Sequence, residues 1–269
     1  MDIVKTPPIE TISGAFSVKG KNVVVTGGNR GIGLGISSAF AECGANVAIL
    51  CRNEESGKKV AEGFAKYGGR YICIQTDIAD AASVKAAGEL VYAFFDHVDV
   101  LVNNAGVAPT KDFFSPEGLE EWHRIIDTNL HGVANVVYAV VPRMRDSGKG
   151  GSIINISSVG GQRVSDSKEH DNAPYNASKA ALDIFTKYLA VKLGDYGLRC
   201  NVIAPGPTHS DLDVNLPPSF FDMVERVLPT RRFGEPIEIG ALCVFLASPA
   251  GVQMTGAVIP HDGGLTMVF

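Results

Sequence analysis

From Lys21 onward, short β-branched runs alternate with longer stretches whose apolar residues recur at helical spacing. Asn22–Thr26, Ala45–Leu50, Tyr71–Ile78, Val98–Val102, Gly151–Ser158, Leu198–Ala204 and Val258–Pro260 read as strands. Their apolar runs are near-continuous, the pattern of strands in a parallel sheet buried on both faces. Between them, Ile36, Ala39 and Phe40 keep a helical period. Glu120 to Met144 predicts a long helix with Ile125, Ile126, Leu130, Val133, Val136 and Val137 inward, and further helices are read over Tyr175–Leu193 and Glu238–Ala247. This alternation, with no break in composition, predicts an α/β fold: a single-domain, doubly wound parallel sheet with helices on both faces. Met1 to Phe16 carries Pro7-Pro8 and no apolar period, so residues 1–16 read as an extended N-terminal tail and 17–269 as the domain.

Composition narrows the function. At 269 residues the chain suffices for one large α/β domain, and 45% apolar with 20% charged residues is ordinary globular usage. A net charge of −5 offers no basic face for nucleic acid. Cys43, Cys51, Cys73, Cys200 and Cys243 are odd in number and scattered, which points to a reducing, cytoplasmic setting. The six histidines show no zinc-ligand spacing, no apolar run is long enough to span a bilayer, and no signal peptide is read.

The chemistry gathers at predicted strand ends, where ligands of such sheets bind. The first strand runs into Gly27-Gly28-Asn29-Arg30-Gly31-Ile32-Gly33 and then a helix, the setting of a phosphate-cradling turn, although the spacing Gly27-x-x-x-Gly31-x-Gly33 departs from G-x-G-x-x-G. The second strand ends at Cys51-Arg52-Asn53 with no carboxylate for a ribose 2′-hydroxyl. Arg30 and Arg52 suit a 2′-phosphate instead, which favours NADP over NAD. Asp77 lies at the end of the third strand, placed to cap the next segment, to accept from an adenine amino group, or both. Asn103-Asn104-Ala105-Gly106 comes after the fourth strand. Asn129 lies inside an apolar helical stripe, where a buried amide requires a partner. Tyr175 and Lys179 stand one helical turn apart, and an ammonium beside a phenol favours the phenolate.

These motifs, in this order, resemble the short-chain dehydrogenase/reductase family from about Phe16 onward: Thr26–Gly33, Asn103–Gly106, Asn129, Ser158, Tyr175-x-x-x-Lys179, Pro205-Gly206 and Asp262-Gly263-Gly264. Phe16–Lys21 and Ala173–Asn176 are similar to the NADP-dependent carbonyl reductases of the sorbose- and mannitol-type branch. The resemblance implies a Rossmann-type fold in which Tyr175 protonates a carbonyl oxygen as hydride arrives at its carbon. It further implies that Lys179 lowers the tyrosine pKa and holds the nicotinamide ribose, Ser158 polarises the carbonyl, and Asn129 holds a water linked to Lys179. Ser157 competes with Ser158, whose position matches the family. The expected NADP-binding set is Gly27, Asn29, Arg30, Gly31, Ile32, Gly33, Arg52, Asn53, Asp77, Ile78, Asn104, Ala105, Gly106, Tyr175, Lys179, Pro205, Gly206, Thr208 and Ser210.

Ser158 and Tyr175 lie 17 positions apart, more than the family leads one to expect, with the extra residues at Asp166–Asp171. His261 reads as a surface histidine or a contact to substrate or a neighbouring subunit. The substrate pocket is expected from 108–114, 160–174 and 207–224. Leu212, Leu216, Phe220, Phe221 and Met223 make one wall apolar, whereas the polar stretch 165–172 favours a hydroxylated substrate. The expected activity is reduction of a ketone or ketose; the alternatives are a 3-oxoacyl-thioester or secondary-metabolite ketoreductase and a non-catalytic NADP-binding scaffold. The long apolar helices suggest a homo-oligomer, a tetramer by family resemblance, unless their stripes are wholly used by the sheet.

Overall fold

Seven strands pair as one all-parallel sheet in the order β3-β2-β1-β4-β5-β6-β7. They are β1 (Asn22–Thr26), β2 (Asn46–Cys51), β3 (Tyr71–Gln75), β4 (Val100–Asn103), β5 (Gly151–Ile156), β6 (Leu198–Pro205) and β7 (Val258–His261). The computed structural model describes residues 9–164, 172–210 and 218–268; the expected insert at 166–171 and the pocket residues Leu212 and Leu216 lie outside them. Successive side chains of a strand leave on opposite faces. Val24, Ala48, Leu50 and Leu101 therefore enter one core, and Val23, Val25, Val47, Ile49, Val100 and Val102 the other. Each of these valine, leucine and isoleucine side chains contributes about 1.5–3 kcal/mol when fully buried.

The first core is covered by α4 (Ala81–Phe94), α6 (Gly132–Asp146) and α7 (Ala173–Leu193), and the second by α2 (Gly31–Glu42), α3 (Glu54–Gly63) and α9 (Pro236–Ala247). The predicted helix over 120–144 is found as α5 (Gly118–Ile126) and α6, joined by a π-helical turn at Asp127–His131. Helices α2 and α9 approach closely because both carry glycine at the contact. A Cβ on Gly240 would lie 2.6 Å from the Gly35 carbonyl oxygen, and one on Gly35 would lie 2.4 Å from the Pro236 carbonyl carbon.

Three expectations change. The tail is not extended throughout: Ile12–Ala15 forms a helical turn, α1, because Thr11 Oγ1 accepts from Gly14 N at 3.1 Å and Ala15 is buried. The strand read over 71–78 stops at Gln75, since Thr76 turns its hydroxyl back to the Ile74 carbonyl. The stretch after Pro207 contains an unpredicted helix, α8 (Pro218–Val227), and the chain also forms a short C-terminal helix, α10 (Leu265–Val268).

Gly35→Ala is expected to cost about 1–3 kcal/mol by forcing the two helix backbones apart. A urea midpoint unchanged from the parent protein would refute this origin of the close contact.

Candidate active site

The strand order reverses between β1 and β4, and the crevice opens at their carboxyl ends. Thr26, the last residue of β1, ties its two sides together. Its Oγ1 accepts from the main-chain N–H groups of Asn104 and Ala105, each at 3.0 Å, and Asn104 Nδ2 donates to the Thr26 carbonyl at 3.0 Å. Beyond Thr26, Gly27 and Gly31 take φ of +65° and +48°, a region that favours glycine. Gly33 sits so close to the turn that a Cβ would fall 2.1 Å from the Gly27 carbonyl oxygen. Arg30 is the N-cap of α2, and its side chain makes no capping hydrogen bond to the helix. A glycine turn opening onto a helix N-terminus suits a pyrophosphate. Ile32 packs against the second core.

The remaining predicted cofactor residues surround this turn. Asn29 Nδ2 donates to Ser56 Oγ at 3.0 Å, while the Asn53 side chain accepts from Ser56 N and caps α3. Arg52 is exposed at the end of β2. Asp77 Oδ1 accepts from Ala79 N at 3.0 Å; Asp80, rather than Asp77, caps α4. Ile78 is buried, and its carbonyl accepts from Asn135 Nδ2. Pro205 ends β6 opposite His261. Gly206 N donates to the His261 carbonyl at 3.1 Å, and Thr208 Oγ1 donates to the Gly206 carbonyl. Ser210 lies above the glycine turn, its Cβ 3.5 Å from where a Gly31 side chain would start.

Helix α7 brings the other groups to the same rim. Pro174 stands in its first turn, where a missing N–H costs nothing. Tyr175 is half-buried, and the Ser158 hydroxyl is near enough to its phenol to oppose the upward shift that burial imposes. Ser157 is buried and donates to the Lys179 carbonyl at 3.2 Å, so it faces the helix backbone while Ser158 faces the phenol. Lys179 Nζ donates to the Ile156 carbonyl at 2.9 Å and lies 5.5 Å from the centroid of the Tyr175 ring. Burial pushes the Tyr175 phenol up, against the pull of Ser158. The lysine's hydrogen bond goes to Ile156, and burial is the largest influence at the phenol. Burial also pushes Lys179 down to about 8, with Asp183 opposing.

Asn129 lies within the π-helical turn and is fully buried. Its Oδ1 accepts from Val107 N at 2.8 Å, and its Nδ2 donates to the Val107 carbonyl at 2.9 Å and to Ser178 Oγ at 3.3 Å. The required partner is thus the main chain just past Gly106. A Cβ on Gly106 would sit 3.3 Å from Asn129 Oδ1 and 3.6 Å from Lys179 Nζ, so glycine admits the chain between them.

Two features escaped the sequence reading. Glu121 Oε1 accepts from Thr110 Oγ1 at 3.1 Å, and Arg124 bonds Glu121 and the Ala108 carbonyl, both at 2.8 Å through Nη2. The i,i+3 spacing of the pair was the available signal. Asp183 is a carboxylate on the buried face of α7, detectable because it falls in phase with Leu182 and Thr186.

A sheet of this topology with tyrosine, lysine and serine beside a glycine turn at its switch point is the architecture of a nicotinamide-dependent oxidoreductase. A family model described as Enoyl-(Acyl carrier protein) reductase matches residues 27–266. Oxidoreductase UcpA of Salmonella typhimurium is 37% identical over 257 residues, covering 92% of this chain and 95% of the relative. D-threitol dehydrogenase of Mycolicibacterium smegmatis is 36% identical, covering 94% and 95%. The solved structure of a gluconate 5-dehydrogenase from Burkholderia cenocepacia in complex with NADP and tartrate superposes with a TM-score of 0.87 at 34% identity, covering 95% of this chain and 99% of that one. The chain belongs to the short-chain dehydrogenase/reductase family, whose members are oxidoreductases using nicotinamide cofactors. Among the described residues no helix is long and apolar enough to cross a membrane, and no cluster of three or more His, Cys, Asp or Glu is arranged for a metal.

Asn129→Leu is expected to strand the Val107 N–H and carbonyl and to cost about 1–3 kcal/mol. Hydrogen exchange reads this directly, as lost protection of the Val107 amide; retained protection would contradict the assignment.

Proposed function

We propose that the protein is an NADPH-dependent reductase of a small ketone or ketose, working through Asn129, Ser158, Tyr175 and Lys179. The observation that carries the reading is the convergence of the Ser158 hydroxyl and the Tyr175 phenol beside Lys179, on the rim that also holds the glycine turn. When bound, the nicotinamide supplies the hydride. Ser158 donates a hydrogen bond to the carbonyl oxygen and polarises it. Tyr175 gives that oxygen its proton, and a phenol kept protonated by burial enters the step as the acid it must be. Donors fixed before charge develops on the oxygen stabilise the transition state at no cost of reorganisation. Lys179 holds the nicotinamide ribose with its ammonium. Asn129 fixes Val107, and with it the chain wall facing Lys179.

The N-terminus of α2 and the left-handed glycines fit a pyrophosphate. Arg30 and Arg52 are both exposed at the adenosine end, and no carboxylate ends β2, so a 2′-phosphate fits better than a free 2′-hydroxyl. Relatives named for D-threitol and for gluconate support a hydroxylated substrate; an acetoacetyl-CoA reductase at 35% identity over 198 residues keeps the thioester reading as the alternative. All five cysteines are free thiols, in keeping with the cytoplasm.

Self-association is part of the proposal. The outer face of α6 and α7 exposes Tyr138, Ile184, Tyr188 and Val191, at 84%, 64%, 56% and 81%. An apolar groove of about 650 Å³ runs alongside, lined by Leu130, Ala134, Ala180, Ala181 and Phe185. The apolar stripes are therefore not wholly used by the sheet, and a contiguous patch of this kind suits a second copy of the chain.

NADPH oxidation against ketoses, diketones, aromatic ketones and acetoacetyl thioesters tests the reaction. Tyr175→Phe is expected to lower kcat by about 10²–10⁴, and a Tyr175→Phe variant as active as its parent sinks the mechanism. Arg52→Ala should raise KM for NADPH about tenfold, leaving NADH little changed; equal effects on both cofactors would remove the 2′-phosphate assignment. Ile184→Asp with Tyr188→Asp is expected to yield a monomer in sedimentation velocity, and an unaltered assembly would place the interface elsewhere.

A further inference from the structure

Asp183 stands one turn beyond Lys179 on the inner face of α7, and the proposed reaction gives it no task. It is only 7% exposed, yet its Oδ1 has no hydrogen-bond partner among the described residues. The charges facing it are Lys179 and Lys187, both on α7, and the polar group reaching it from the sheet is the Ser157 hydroxyl at the end of β5. That hydroxyl also lies 3.2 Å from the Lys179 carbonyl. The hydroxyl proton is given to that carbonyl, and Asp183 Oδ1 is left without a donor among the described residues. A buried carboxylate held this poorly is costly, and an apolar residue in its place would pack the helix against the sheet as Leu182 and Leu189 do.

Lys179 is the group that stands to gain from that cost. Its ammonium donates to a neutral carbonyl, that of Ile156. Burial drives its pKa down to about 8, and Asp183 is the charge that works against that loss.

We propose that Asp183 is a positioning residue for Lys179: its carboxylate, one turn along the same buried helix face, keeps the lysine in the ammonium form through the neutral range. The inference rests on the reading of Lys179 as the group that holds the nicotinamide ribose. The ammonium is present below the lysine pKa and lost above it. A nearby negative charge raises that pKa; with the charge removed, burial acts alone and the proton leaves at lower pH.

The test needs no cofactor. The side-chain resonances of isotope-labelled lysine, with Lys179 assigned by its absence from Lys179→Met, are titrated in the cofactor-free protein and in Asp183→Asn. The midpoint is expected to move to lower pH in the variant. The alkaline limb of kcat should move with it, so that kcat at pH 8 relative to pH 6.5 falls about threefold. A folded Asp183→Asn whose Lys179 titrates as in the parent overturns the proposal. Asp183→Ser removes the same charge while keeping a hydroxyl for Ser157, and supplies the measurement if the asparagine variant does not fold. A parent protein that reduces no carbonyl would overturn the proposed reaction, whereas the lysine midpoint answers for Asp183 alone.

Discussion

Everything at the rim depends on how far apart the ends of β1 and β4 are held, and Thr26 fixes that distance. One hydroxyl oxygen accepts two successive main-chain N–H groups, and the carbonyl of the same residue takes the Asn104 amide. The strands' own pairing stops at Val25 and Val102, so these side-chain bonds continue the sheet past its last rung. The glycine turn leaves on one side and the Ala105–Val107 segment on the other. Asn129 then secures that segment through both polar atoms of its amide. A crevice anchored at both walls does not have to be organised by its ligand, and preorganisation of this kind lowers the cost of binding.

The same burial that makes the wall rigid sets the acid–base character of the groups upon it. Tyr175 and Lys179 sit in one low-dielectric pocket and are driven in opposite directions, the phenol toward retaining its proton and the ammonium toward releasing it. Ser158 and Asp183 each act against the shift of one partner, so the two residues outside the Tyr–Lys pair temper what burial does to the pair.

The fold was legible in the sequence because both of its periods were strong. Seven β-branched runs became seven strands, with errors confined to their ends, where Thr76 and Ser158 turn side chains back onto the main chain and stop the ladder. Gly27, Asn104, Ser158, Tyr175 and Lys179 lie on one rim because strand ends are an address the topology supplies. The direction of the tyrosine shift was not legible: it is set by how deeply the phenol is buried, which no spacing along the chain records. Helix α1 was hidden by the prolines before it, and α8 by its setting in a stretch read as irregular. Glu121 and Arg124 have the spacing of an ordinary helix-surface pair, and only the chain folding over them at Ala108 and Thr110 sets them apart.

The π-helical turn at Asp127–His131 constrains what evolution can do with this site. An α-helix advances about 100° per residue, and a π-turn accommodates one residue more than an α-turn does, so α6 is rotated by that amount relative to a helix continuing straight from α5. The inward positions on either side, Ile125 before it and Val133, Val136 and Val140 after it, are written for that offset phase. Straightening the helix at constant length would swing every later side chain of α6 out of the core, and only deletion of a residue at the same time would keep them in phase. Single substitutions cannot reach that state by degrees. The placement of Asn129 is therefore held by the reading frame of the helix as much as by its own hydrogen bonds.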